Sequence, residues 1–186
     1  PWGAALTASL RAAPEHRIPW ASALELLAGF AMDVNERRYA TLDDTLLYCY
    51  RVAGVVGVMM ACIMGVRDRA VLRRAADLGI AFQLTNIARD VLDDARNGRC
   101  YLPGEWLAAA GLPAAVPAAV ADPAARKAVA GVVGRLLDLA DRYYASADQG
   151  LRALRFRSAW AIATALGVYR DIGRVVRARG ERAWDR

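Results

Sequence analysis

Residues 79–103 read GIAFQLTNIARDVLDDARNGRCYLP, and within them Gln83, Asn86, Asp90 and Asp94 follow at steps of three, four and four. On an α-helix those steps stack four side chains along one face. Phe82, Leu84, Ile87 and Val91 bound the row, which sets it apart from a solvated stripe. Two amides and two carboxylates in line offer oxygen donors to a hard cation, the set that suits Mg²⁺ and that it readily shares with phosphate. Arg89 and Arg99 flank the row and can hold phosphate oxygens that the cation does not reach. The competing reading is a surface on which Asp90, Asp93 and Asp94 pair with Arg89 and Arg96. Two amides on the same face and the abrupt stop at Asn97-Gly98 favour a Mg²⁺–diphosphate site over it.

Outward from this stretch, the composition bounds the fold. The 186 residues suffice for a single helical domain, 1–186, with a real core. Alanine, leucine and arginine dominate and β-branched alternation is scarce, so the expectation is an all-α protein. The uncharged run 52–66 is shorter than a membrane-spanning helix and reads as a buried core helix. Three scattered cysteines, Cys49, Cys62 and Cys100, and the lack of a leader pattern at the start imply reduced thiols in a cytoplasmic protein. His16 is the one histidine, which argues against zinc sites and histidine-based triads. The net charge of +6 is spread over many helices without interleaved aromatics, so no nucleic-acid partner is expected. A basic surface suits anionic lipids or diphosphates equally well.

Taken in order, residues 1–17 read as a helix tail and turn. Pro19 opens a helix over 20–38 whose apolar positions Leu24, Leu27, Ala28, Ala31 and Val34 mark its core face. Thr41 and Asp44 form the ends of a capping box for a helix over 42–64. That helix is apolar nearly all round and belongs in the centre of the fold, with Gly54 and Gly57 as packing glycines. Asp68 caps the next helix, Arg69–Arg96, which Gly98 stops. A short ordered flap at 100–103, a brief helix over 104–110 and a connector over 111–123 follow. Asp122-Pro123 then caps a helix carrying Val129, Val132, Val133, Leu136, Leu137, Leu139 and Ala140 and closing at Tyr143 and Tyr144. The last helix, 157–179, carries Trp160, Ile162, Ala163, Leu166, Tyr169, Ile172 and Val176 and ends at Gly180.

Three blocks in order, YCYRVAGVVG at 48–57, FQLTNIARDVLDDARNGRCYLP at 82–103 and RSAWAIATALGVYRDIG at 157–173, resemble the squalene and phytoene synthase family. The RCYLP ending is more like its bacterial phytoene synthase branch than its squalene synthase branch. The resemblance implies an isoprenoid-synthase helical bundle around a central apolar cavity. It also implies head-to-head joining of two geranylgeranyl diphosphates to phytoene through a cyclopropyl diphosphate, in carotenoid biosynthesis. Mg²⁺ is the implied cofactor, with Mn²⁺ as a substitute, and NADPH is not expected. By the same resemblance Asp90 and Asp94, with Asn86, hold metal, and Arg89, Arg99, Gln83, Asn86 and Tyr169 bind diphosphate. Tyr48 stands near the carbocations, where a ring face stabilises positive charge and a phenol can move a proton; without the family it would read as a core aromatic. Met59, Met60 and Met64 serve as core filler, as substrate wall, or as both.

Two departures accompany the resemblance. The family carries a second aspartate-rich motif on an earlier helix, and neither Asp33 with Glu36 nor Asp43 with Asp44 forms a comparable DxxxD. The chain therefore reads as a fragment lacking the N-terminal part, weak or inactive alone. Arg51 also stands where relatives tend to have a small residue or histidine. The alternatives are a squalene or dehydrosqualene synthase acting on C15 farnesyl diphosphate, and a non-catalytic scaffold of the same fold. Transient contact with a membrane surface suits the hydrophobic substrates.

Overall fold

The structure is a computed structural model describing residues 14–185; most of the helix tail expected over 1–17 lies outside the described residues. The elements in order are α1 (Trp20–Val34), α2 (Leu42–Cys49), a π-helical turn (Tyr50–Gly54), α3 (Val55–Ile63), α4 (Arg69–Arg96), α5 (Gly104–Ala109) and α6 (Pro117–Ala121). A 3₁₀ turn (Pro123–Ala125), α7 (Arg126–Leu151), α8 (Phe156–Arg179) and a second 3₁₀ turn (Gly180–Arg182) complete them. Every regular element among the described residues is helical, as the composition implies.

The bundle is built around α4. Its 28 residues extend about 42 Å. The Asp68 carboxylate accepts from the N–H groups of Ala70 and Val71 at 2.7 and 3.1 Å, and Gly98, at φ +76°, turns the chain away at the far end. From Ala76 to Ala95 its buried residues fall on all sides, because α3, α6, α7 and α8 surround it. Leu84 and Leu92 of α4 meet Val129, Val133 and Leu136 of α7 in the core. Each such aliphatic side chain contributes about 1.5–3 kcal/mol by leaving water. Thr85 joins the Tyr144 hydroxyl at 2.8 Å, and the Trp184 indole donates to the Ala88 carbonyl at 3.1 Å, tying the chain end to the same helix.

Several expectations need correction. The centre is α4 and not the run Leu42–Ile63, which is covered on one side only: Tyr48, Cys49, Val55, Ala61 and Cys62 are buried, while Tyr50, Val56, Met60 and Ile63 are 37–45% exposed. That run, longer than the uncharged stretch within it, is the one helical segment among the described residues long and apolar enough to cross a membrane. Its glycines explain the one-sidedness, since a Cβ on Gly57 would lie 2.1 Å from the Ala75 carbonyl oxygen and that face is committed to the α4 backbone. The run is also broken by the π turn, a local insertion that often marks functional sites.

The face of α1 is reversed as well. Leu24, Leu27 and Val34 are 62–81% exposed, and Ser22, Gly29 and Met32 turn inward instead. Gly29 decides this: a Cβ there would come within 2.8 Å of the Val52 side chain, so only a glycine face lets α1 approach the π turn. Arg51 reinforces it by pairing with Glu25 at 2.8 Å. The helix ends at Val34 rather than 38 because Glu36 adopts φ +48°.

Further on, α7 continues past Tyr143 and Tyr144 to Leu151, burying Tyr144, Ala147 and Gly150 on the way. The connector over 111–123 includes α6, which buries Val120. In α8 Leu166, Gly173 and Val176 are buried and Ile162 and Tyr169 pack half-buried against the core, while Trp160 is 69% exposed. The capping box holds as expected, with Thr41 and Asp44 each accepting from the other's backbone N–H.

Candidate active site

An apolar cavity of about 310 Å³, within the size range of small-molecule sites, lies between α3, the first half of α4, the end of α7 and α8. Met60 of α3 and Met64 just after it line it, with Leu78 of α4 and Leu154 after α7; Met59 does not. Gly57 and Gly79 hold α3 and α4 so close that the cavity opens to their side, toward α7 and α8. Its polar lining is Gln83, Asn86 and Tyr169, with Arg74 more than two turns earlier on α4. The Tyr169 ring stacks on Phe82, centroids 4.2 Å apart, which fixes the phenol in that lining.

One and two turns beyond Asn86 on α4, the row continues with Asp90 and Asp94. The Asn86 amide N–H donates weakly to Gln83 Oε1 at 3.4 Å, leaving Asn86 Oδ1 buried without a partner. Arg89 clasps Asp90 through both oxygens, Nε to Oδ1 at 2.8 Å and an Nη to Oδ2 at 2.5 Å, and that hydrogen bond raises the guanidinium pKa further. Arg96 pairs with Asp93 at 3.2 Å, so part of the surface-pairing alternative is present too. Burial, and then the neighbouring Asp90, push the Asp94 carboxyl up to about 6, against the opposing pull of Arg99.

A buried acceptor with no donor, on the same helix face as a carboxylate two turns on whose charge is disfavoured, makes a row short of positive charge. It fits a hard cation with oxygen ligands. Among the described residues no three His, Cys, Asp or Glu side chains converge as a metal cluster.

Tyr48 is placed elsewhere. It is buried and is not among the cavity-lining residues. Its ring stacks on Tyr101, centroids 4.7 Å apart, and meets Tyr39 edge-on at 5.4 Å. Its hydroxyl donates to Asp33 Oδ2 at 3.2 Å, and Tyr101 donates to Asp33 Oδ1 at 2.9 Å. Burial, first of all, drives the Tyr48 phenol far above its ordinary pKa. The 100–103 segment is ordered as expected, because Thr45 donates to the Tyr101 carbonyl at 3.0 Å and Tyr101 and Leu102 are buried. Asp33 reaches the acidic row electrostatically, its charge adding to the upward push on Asp94.

The structure thus brings Gln83, Asn86 and Tyr169 to the cavity mouth, continues the row to Asp90 and Asp94 beside Arg89 and Arg99, and sets Tyr48 in an adjoining aromatic cluster. Sequence reasoning passed over Asp33, Tyr101 and Phe82. In the sequence Asp33 forms no DxxxD with Glu36, and Tyr101 and Phe82 lie within 79–103 with no spacing to single them out.

The chain is similar to the 15-cis-phytoene synthase of Enterobacter agglomerans, 59% identical over 97% of this chain and 60% of that protein. It is also similar to the 15-cis-phytoene synthase of Pantoea ananas, 57% identical over 97% of this chain and 58% of that one. Among solved structures, a squalene synthase from Alicyclobacillus acidocaldarius superposes with a TM-score of 0.82 at 22% identity, over 90% of this chain and 63% of that one. A dehydrosqualene synthase in complex with ligand superposes with a TM-score of 0.79 at 28% identity, over 89% and 57%. The chain spans about 60% of the length of the first of these curated relatives. The squalene/phytoene synthase family model matches residues 1–186, and the chain belongs to that family.

Proposed function

We propose that the protein carrying this chain is a Mg²⁺-dependent prenyltransferase that condenses two geranylgeranyl diphosphates head to head to phytoene in carotenoid biosynthesis. The observation that carries this reading is the orphaned Asn86 Oδ1 at the mouth of an apolar cavity, continuous with Asp90 and Asp94 on one helix face. The names of the similar relatives agree with it. Asn86, Asp90 and Asp94 would hold the metal, with Mn²⁺ able to replace it. Bound there, it supplies Lewis-acid neutralisation of the departing diphosphate.

The chain's own residues do the remainder. Arg89 and Arg99 take diphosphate oxygens, stabilising the charge that develops on the leaving group. Gln83 and Tyr169 fix the diphosphate at the rim by hydrogen bonding. The cavity walls bury the prenyl chain and keep water from the allylic cation. Tyr48 and the rings around it offer π density to a cation at the adjoining end. We place the enzyme in the cytoplasm and infer transient contact with a membrane surface, which the exposed Trp20, Leu24, Phe156 and Trp160 favour.

Two measurements test the reading. The full-length protein, given C15 and C20 diphosphates with Mg²⁺, is expected to yield the C40 hydrocarbon without NADPH; a C30 product would point to a squalene or dehydrosqualene synthase, and no hydrocarbon to a scaffold. A non-hydrolysable geranylgeranyl diphosphate analogue is expected to bind in a metal-dependent way that the Asp90→Ala/Asp94→Ala protein loses. Equal binding to both would remove the diphosphate from this helix.

A further inference from the structure

Asp33, on the last turn of α1, accepts from two phenols on two other elements, Tyr48 of α2 and Tyr101 of the segment after α4. No ion pair to it is present among the described residues, so a half-buried carboxylate is satisfied by neutral donors. Taking a carboxylate from water is costly unless its hydrogen bonds are replaced, and here each oxygen receives one. The arrangement joins three stretches of chain at one point: α1, whose approach Gly29 permits; α2, whose next turn is the π insertion; and the ordered segment that closes over the Tyr48 ring.

The phenolic hydrogen rotates about the Cζ–Oη bond, so packing of the ring alone does not fix the direction of the O–H. A carboxylate acceptor does. It also polarises the O–H, raising electron density on the oxygen and ring that face a cation. We propose that Asp33 is a positioning residue of the prenyl transfer: its two oxygens set the orientation of the Tyr48 phenol and clamp the 99–103 segment over it through Tyr101. This rests on the reading of Tyr48 as the residue that faces the carbocations.

The test uses the full-length protein with geranylgeranyl diphosphate and four variants: Asp33→Ala, Asp33→Asn, Tyr48→Phe and the Asp33→Ala/Tyr48→Phe pair. Asp33→Ala is expected to lower kcat roughly 100-fold while KM stays within about twofold, with kcat counted per folded molecule because loss of folded protein would itself lower apparent kcat at constant KM. Asp33→Asn offers one acceptor oxygen in place of two and is expected to recover part of the rate. The double variant is expected to be slower than Tyr48→Phe alone by far less than the Asp33→Ala factor, because the Tyr48 contact is shared by both changes and only the Tyr101 contact remains to be lost.

A normal kcat in Asp33→Ala beside a slow Tyr48→Phe overturns the positioning role and leaves Tyr48 standing. Multiplying effects in the double variant overturn it too. Wild-type turnover by Tyr48→Phe overturns the reading of Tyr48 and this proposal with it. Should Asp33→Ala lose its cooperative thermal transition, Asp33→Asn carries the same comparison in a folded protein, and an unchanged kcat there counts against the proposal.

Discussion

A Cβ on Gly79 would lie 2.2 Å from the carbonyl oxygen of Ala53 and 2.8 Å from the Gly54 Cα. The atoms in the way are backbone, held in the α4 and π-turn ladders, so they cannot rotate aside as a side chain would. Gly79→Ala must therefore part α3 from α4 along the wall of the apolar cavity. The expected cost is about 1–3 kcal/mol or more, the range for overpacking a close-packed interior, read as a lower urea midpoint with unchanged slope. Gly131 on α7 is the control: a Cβ there meets nothing within 4 Å. Gly131→Ala should leave the midpoint unchanged or raise it by about 0.4–1 kcal/mol. Equal losses in the two variants would show that the close approach is not what Gly79 supplies.

Asp94 sets function against stability. Its folded pKa of about 6 stands above the ordinary value of 3.8, chiefly through burial and then through Asp90. The folded state therefore holds its proton to higher pH than the unfolded state does. The stabilising contribution of that proton is full below about 3.8 and is lost as pH rises through about 6. Metal-free protein should gain thermal stability from this group on going from pH 7 to pH 5. Asp94→Asn, which removes the charge and keeps the shape, should melt higher than wild type at pH 7 in EDTA while losing Mg²⁺-dependent binding of the diphosphate analogue. A variant that melts lower at pH 7 would show that Asp94 is already satisfied without a cation.

How far the sequence was legible follows from where each signal sits. The bounds of α4 were readable because Asp68 and Gly98 are local devices: one carboxylate capping two N–H groups and one residue able to take φ +76°. The row from Gln83 to Asp94 was readable because helical spacing alone aligns it. The face of α1 was not, since Leu24, Leu27 and Val34 make a regular apolar stripe that packs against nothing described. Gly29 and the Glu25–Arg51 pair outvote it, and both act through residues far along the chain. The clamp at Asp33 was hidden for the same reason: its partners lie 15 and 68 residues away, and no spacing rule joins an aspartate to two tyrosines at such separations.

The α2 cap offers a test with the opposite pH sign. The Thr41 backbone N–H, first, and then the Arg37 guanidinium hold the Asp44 carboxyl below the usual carboxylate range. Its contribution is therefore present above the unfolded pKa and is lost as pH falls through the folded one. Asp44→Ala should cost about 1 kcal/mol at pH 7, the usual size for a lost cap, and much less near pH 2. Thr41→Ala should cost a similar amount at pH 7. Urea unfolding at the two pH values checks this; a penalty for Asp44→Ala that does not shrink in acid would mean the carboxylate charge plays no part in the cap.

Arg89 and Asp90 are sequence neighbours locked in a two-point ion pair, yet the proposed chemistry asks each for a different partner, diphosphate for one and metal for the other. In the free protein the guanidinium covers the very oxygens a cation would take. A surface pair of this kind is worth little in stability, so separating it on ligand binding is cheap. Arg89→Gln should therefore leave the melting temperature within a degree or so of wild type. Its effects on the two ligands should diverge. Inorganic diphosphate should bind roughly tenfold or more weakly in the presence of Mg²⁺, for want of a charge-assisted hydrogen bond. Mn²⁺ alone, followed by paramagnetic relaxation of water protons, should bind as well as or better than in wild type, because Asp90 no longer has a competing cation. Weaker binding of both would mean that Arg89 orients Asp90 for the metal instead of competing with it.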